Sequence, residues 1–224
     1  MGDHVRVVEV EVYVESTDRR VFTCAYQWPG WARSGKTEDQ ALDTLVKYAP
    51  RYAPVAKAAG LEFAIDATTP PRVLDRVQGN ATTAFGAPAQ VMPADLEKTS
   101  EADAARLMAL LAGCWTILDR VAAAAPESLR KGPRGGGRDR SKILEHVVGA
   151  EVEYGRMLGL KLPGPDLSSD GELAAHRAAL LQGLRLADTT FVDRGKGWPM
   201  RYATRRLAWH VMDHAWEMED RSER

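Results

Sequence analysis

Cysteine is scarce in this chain. The only two, Cys24 and Cys114, stand far apart and fall inside expected secondary-structure elements. A disulfide framework needs more cysteines at closer spacing, so a reducing, cytoplasmic setting is expected. An excess of charge of one sign is lacking too. Thirty basic residues against 31 acidic ones leave a formal net charge of -1, which gives no whole-molecule field to draw nucleic acid or an anionic membrane. Long apolar runs are absent as well. No stretch approaches the roughly 18 apolar residues that a membrane span requires. The opening Met1-Gly2-Asp3-His4 leads into alternating Val and Glu, so no secretory signal is expected. Met1-Gly2 begins an acylation pattern, but Arg6 and Val7 stand where a Ser or Thr would complete it. Neither a nucleic-acid partner nor a membrane is expected.

What remains is ordinary globular composition, 45% hydrophobic and 27% charged over 224 residues. That length allows one large domain or two small ones. Residues 5–14 alternate apolar and polar side chains over most of their run, as a half-buried strand does. Ser16-Thr17-Asp18 supplies a turn, and residues 20–28 form the expected second strand of a hairpin. Thr37 is positioned to cap a helix, with Gln40 completing a capping box. That helix runs to about Pro50 or Gly60, and Leu61–Ile65 is expected as a third strand. Together these make a small ββαβ unit over residues 1–68. Residues 69–94 are rich in Thr, Pro, Gly and Ala and read as a linker, with a short helix near Arg72–Val77.

From residue 95 to 224 the pattern is helical, so the fold class is α+β. Ser100 with Asp103 marks a helix start. Leu107, Leu110, Leu111, Cys114, Leu118 and Val121 follow as one apolar stripe. A second helix covers about 141–159, with Ile143, Val147, Ala150, Tyr154 and Met157 on one face. Ser169 and Glu172 open a third, whose stripe is Leu173, Leu180, Leu184 and Phe191. Pro199 opens a fourth carrying Leu207, Val211 and Met218 inward. Four such helices can enclose a core as a bundle.

Three histidines sit in those stripes. His210 and His214 are one turn apart on the face of Leu207, Val211 and Met218. His146, beside Ile143 and Val147, also points inward. Three imidazoles suit zinc, nickel or iron(II) and leave coordination positions open. Lone core histidines would share the same spacing. Glu217 lies three residues after His214, placed either to orient its imidazole or to accept a proton as a catalytic group. A plain surface carboxylate is the other reading of Glu217, and Glu153, seven residues after His146, has the same alternatives open to it.

The segments Leu144-Glu145-His146-Val147-Val148 and Leu207-Ala208-Trp209-His210-Val211-Met212-Asp213-His214 resemble the DinB/YfiT-like superfamily over about residues 95–222. That resemblance implies a four-helix bundle holding a divalent metal on His146, His210 and His214, and often a homodimer. It also implies thiol-dependent transferase or isomerase chemistry among its members. Trp28-Pro29-Gly30 and Ser34-Gly35-Lys36-Thr37-Glu38-Asp39-Gln40-Ala41-Leu42 resemble the HicB-like fold over about residues 5–66. No DNA-binding segment follows, so this unit is expected to serve binding or dimerisation. Two functions stay open. One is a metal-dependent transferase or hydrolase acting on a small molecule, with a low-molecular-weight thiol as one co-substrate. The other is a non-enzymatic binding protein with a structural metal and a partner-binding HicB-like unit.

Several features read as ordinary structure. Gly30 to Thr37 matches the P-loop pattern formally, but Trp31 and Arg33 would crowd a phosphate nest. Cys114 reads as an apolar core residue before a fourth ligand. His176 reads as structural or exposed, and His4 as solvated. The Arg130–Arg140 segment reads as a solvated basic loop, with anion binding as its other use. Trp198, Trp209 and Trp216 either line a pocket or pack between domains.

Overall fold

The computed structural model describes residues 9–65, 69–132, 136–194 and 197–222, with backbone alone for 188–194. His4, the acylation pattern and the start of the first expected strand lie outside the described residues. So do the Phe191 side chain and residues 133–135 of the basic loop.

The N-terminal layer is a four-stranded sheet in the order β3-β2-β1-β4. Strands β1 (Glu11–Ser16) and β2 (Val21–Ala25) form the expected antiparallel hairpin, with Val12 opposite Ala25 and Ser16 opposite Val21. Thr17 closes the turn: its hydroxyl accepts from the Arg20 amide. β3 (Ala32–Gly35) pairs with β2. It passes through the P-loop look-alike, so no phosphate-cradling loop forms there.

The hairpin is buried on both faces, not one. Val14 and Val21 pack against Ala41, whereas Tyr13, Phe22 and Cys24 pack against Trp209 and Met92. Glu15 is fully buried. Its carboxylate accepts from the Thr83 hydroxyl and from the Ala89 and Gln90 amides. Those bonds replace the water it loses.

Helix α1 (Glu38–Lys47) begins as expected, with the Thr37 hydroxyl accepting from the Gln40 amide at 3.3 Å. The Gln40 side chain accepts from the Lys36 amide, one residue earlier than a capping box would place it. Helix α2 (Ala49–Ala58) follows directly, with Pro50 in its first turn. Three strand assignments change, β3 being one that was not expected. Leu61–Ile65 is not a strand; it carries Phe63 against Trp28, Trp31 and Tyr52. The closing strand is β4 (Arg72–Gln78), parallel to β1, where a short helix and linker were expected. The rest of the expected linker holds α3 (Ala81–Phe85) and a 3-10 turn at Pro93–Asp95.

Four long helices follow: α4 (Glu101–Ala124), α5 (Arg140–Met157), α6 (Asp170–Arg194) and α7 (Met200–Ser222). The Ser100 hydroxyl accepts from the Asp103 amide, as its spacing predicts. The α4 stripe of Leu107, Leu110, Leu111, Cys114, Leu118 and Val121 is buried throughout. By length and composition α4 could cross a membrane, contrary to the expectation that no segment could, yet it is mostly buried inside the fold. Met157, expected inward, is exposed, and His176 is buried.

The sheet layer and the helices share one apolar core. Trp31, Leu45, Tyr52 and Val55 join Leu110, Leu111, Leu118, Leu207 and Val211 in it. Helix α2 reaches α4 because Gly113 has no side chain; a Cβ there would lie 2.7 Å from the Val55 carbonyl oxygen. On its far side α7 meets the sheet, with Phe22 edge-on to Trp209 at 6.2 Å. α7 is therefore buried almost all round. Its partly exposed positions are Arg201, Arg206, Asp213, Glu217 and the last turn, residues 219–222.

Candidate metal centre

Along the face that meets α5 the sequence places Tyr202, Arg206, His210, His214, Glu217 and Arg221 at three- and four-residue steps. Helix α5 contributes His146 and Tyr154. The expected convergence of the three histidines is present. His146 Nε2 lies 3.3 Å from His210 Nε2, and one ligand atom from each of His146, His210 and His214 lies within 4.8 Å of the others. Ring centroids are 5.0 Å apart for His146 and His210, 4.9 Å for His146 and His214, and 4.6 Å for His210 and His214.

Glu217 orients this cluster. Its Oε2 lies 2.7 Å from His214 Nδ1, and its Oε1 lies 3.1 Å from an Arg221 nitrogen. A carboxylate on Nδ1 favours the proton there and leaves Nε2 of His214 available to the centre. With both oxygens engaged, Glu217 fits the orienting role better than that of a free base. The His214 hydrogen bond, with help from Arg221, holds the Glu217 carboxyl below its ordinary range.

Burial lowers the pKa of His210 strongly, reinforced by His214, His146, Arg206 and Arg138. Burial also lowers that of His146, reinforced by His214 and Arg138. Both imidazoles are thus neutral at pH 7, as metal ligation requires. Two facing acceptor nitrogens at 3.3 Å repel unless a proton or a cation lies between them. Bonds of about 2.0–2.1 Å meeting at a tetrahedral angle would separate two ligand nitrogens by about 3.3 Å. The donor set therefore fits a small divalent cation.

The remaining sequence candidates stand elsewhere. Cys114 packs against the Pro29 carbonyl, 3.9 Å away, and is not among the clustered ligand atoms. Burial raises both thiols, Cys24 to about 12, and both are free. Glu153 is exposed and paired with Arg156 at 2.6 Å. In the basic loop Lys131 pairs with Asp139 and Arg140 with Glu127. Arg138 is exposed, and its charge acts on His146 and His210.

Sequence reading placed Tyr154 inward and left Trp198 as a pocket or packing residue, but it missed Tyr202, Arg206 and the row that these groups form beside the histidines. The Tyr154 ring stands 5.8 Å from His210, Trp198 stands 5.1 Å from Tyr154, and Tyr202 stands 5.0 Å from Trp198. Gly197 sets Trp198 there: it has a φ of 91°, and a Cβ on it would come 2.6 Å from the Met157 carbonyl oxygen. The Trp198 amide donates to that same oxygen. Arg206 lies over Tyr154 at 5.6 Å and over Trp209 at 5.0 Å. Its place one turn before His210 was the available signal. Trp209 and Trp216, by contrast, pack toward the sheet layer, Trp209 on Phe22 and Trp216 on Tyr48.

Fold and site together define a mixed α/β protein with a three-histidine cluster between two helices. No protein-family model, curated protein or solved structure matches this chain.

Proposed function

We propose that His146, His210 and His214 hold one divalent transition metal, zinc, nickel or iron(II), and that the protein is a DinB-like enzyme using it. The reaction is transfer or hydrolysis on a small molecule, with a low-molecular-weight thiol as one co-substrate. The single observation behind this reading is the 3.3 Å approach of His146 Nε2 to His210 Nε2, with His214 closing the triangle. A metal there supplies Lewis acidity and lowers the pKa of a coordinated water or thiol. Three histidines leave room for such a ligand. Glu217 fixes the His214 tautomer, and the half-buried position of His146 keeps the centre within reach of solutes.

The reading of the N-terminal layer as a HicB-like partner-binding unit has weaker support. β1 and β2 are covered on both faces, so much of the sheet is already committed to this chain's own core. Elemental analysis of purified protein tests the proposal. Near-equimolar zinc, nickel or iron in the wild type, lost in His210→Ala, is the expected result. Metal retained at full stoichiometry in that variant would overturn it.

A further inference from the structure

Arg206 stands apart from the other cations of α7. Arg201, Arg205 and Arg221 each pair with a carboxylate. Arg206 has no such partner among the described residues. One nitrogen donates to the Pro88 carbonyl oxygen at 2.6 Å, and the guanidinium lies between the Tyr154 and Trp209 rings. A half-buried cation without a counterion, one turn before a histidine of the cluster, costs desolvation unless an anion arrives.

The surroundings indicate the rest of the ligand. Tyr154 and Trp198, both half-buried, form an aromatic wall running away from His210. Between His146 and Tyr154, one helical turn from each, α5 carries only Ala150, so little side-chain bulk fills that stretch. Tyr202 is buried and tied to the Ala89 carbonyl, and it backs Trp198. Arg138, exposed and with no carboxylate partner among the described residues, also places its charge on His146 and His210. A guanidinium fork matches a planar carboxylate, and aromatic faces favour a flat apolar body.

We propose that the substrate is a carboxylate carried on a flat, apolar or aromatic body, with Arg206 binding the anion and Tyr154 and Trp198 packing its body. The inference rests on the histidine-centre reading only for where the reactive end sits.

Benzoate and its neutral isostere benzamide serve as probes, titrated into the full chain as purified and followed by tryptophan fluorescence and calorimetry. Benzoate is expected to bind at least tenfold tighter than benzamide. Arg206→Gln should remove that preference while leaving the metal content unchanged, and Arg206→Lys should retain part of it. Equal binding of the two probes, no detectable benzoate binding, or a preference that survives in Arg206→Gln would each overturn the proposal. The wild-type comparison needs no variant, so it stands even if Arg206→Gln fails to fold. His210→Ala separates the two readings. Benzoate preference together with the absence of metal from both proteins would sink the metal centre alone. Metal lost in this variant, with no benzoate preference in the wild type, would sink the carboxylate alone.

Discussion

Arg33 on the edge strand β3 reaches Asp213 on α7 at 3.1 Å, joining the sheet layer to the turn of helix that carries both His210 and His214. The guanidinium is braced over Tyr48 at 4.2 Å and Trp216 at 5.2 Å. Half-exposed ion pairs contribute little alone, about 0–1 kcal/mol. The information lies in where this one sits. The sheet layer covers the back of α7, and the front of the same helix presents the histidines to α5.

The first prediction concerns that dependence. A chain of residues 93–224 alone would uncover Trp209, Trp216 and Met212, all now buried. Loss of fixed packing is expected, with far-UV helicity retained and near-UV signal and a sharp thermal transition lost. A truncated chain that melts cooperatively with an intact near-UV spectrum would contradict this.

A buried ion pair gives the second. Arg205 and Asp95 form a bidentate pair, with Arg205 Nη2 to Asp95 Oδ2 at 2.8 Å, and both residues are buried. Asp95→Asn leaves the guanidinium charge buried without its counterion and is expected to cost about 3–5 kcal/mol. The double change Asp95→Leu with Arg205→Met should recover most of that loss. Urea unfolding measures both. An Asp95→Asn variant within about 1 kcal/mol of wild type would show that the interior relaxes around the charge.

These two predictions bear on what could be read in advance. Local chemistry was readable: the Thr37 and Ser100 caps, the α4 stripe, and the inward spacing of His146, His210 and His214 all stand as spacing implied. Strand β4 was not, because Arg72–Gln78 becomes a strand through its partner β1, far away in sequence. Leu61–Ile65 has strand-like composition but pairs with no strand among the described residues, and Phe63 goes into an aromatic cluster instead. Nothing in the sequence around Glu15 signals its burial, which depends on Thr83, Ala89 and Gln90 closing over it. The aromatic wall beside His210 depends on Gly197 bringing the chain against Met157, a contact that periodicity does not encode.

Glu217 offers a graded test of the centre. Because it holds His214 and is not itself in the cluster, Glu217→Gln should weaken metal affinity by about 10–100-fold without abolishing it. His146→Ala or His210→Ala should abolish stoichiometric binding. Competition with a chromogenic chelator distinguishes these outcomes. Affinity unchanged in Glu217→Gln would remove its orienting role.

The last prediction lies away from the histidine centre, at a buried pair between α5 and α6. Glu151 Oε2 and His176 Nε2 are 3.6 Å apart, too far for a hydrogen bond, and both side chains are almost fully buried. Glu151 Oε1 accepts from the Trp115 indole at 2.6 Å, whereas Oε2 and both His176 nitrogens have no partner among the described residues. Burial raises the Glu151 carboxyl to about 7, only partly offset by Arg177. Burial lowers His176, with Arg177 adding to it. A carboxyl raised in the folded state keeps its proton there while the unfolded chain has already lost it. Its contribution is therefore fully favourable below the unfolded value near 4.5 and is lost as pH climbs from there through 7, by roughly 3 kcal/mol in all. A lowered histidine acts in the opposite sense, and stability falls as pH drops below its ordinary value of 6.5. Glu151→Gln keeps an acceptor for Trp115 but cannot ionise. At pH 4 its Tm should match wild type, whereas at pH 8 it should be higher by roughly 5–10 °C. The same Tm difference at both pH values would mean that Glu151 ionises freely, compensated by a protonated His176, and that the pair is a true buried salt bridge.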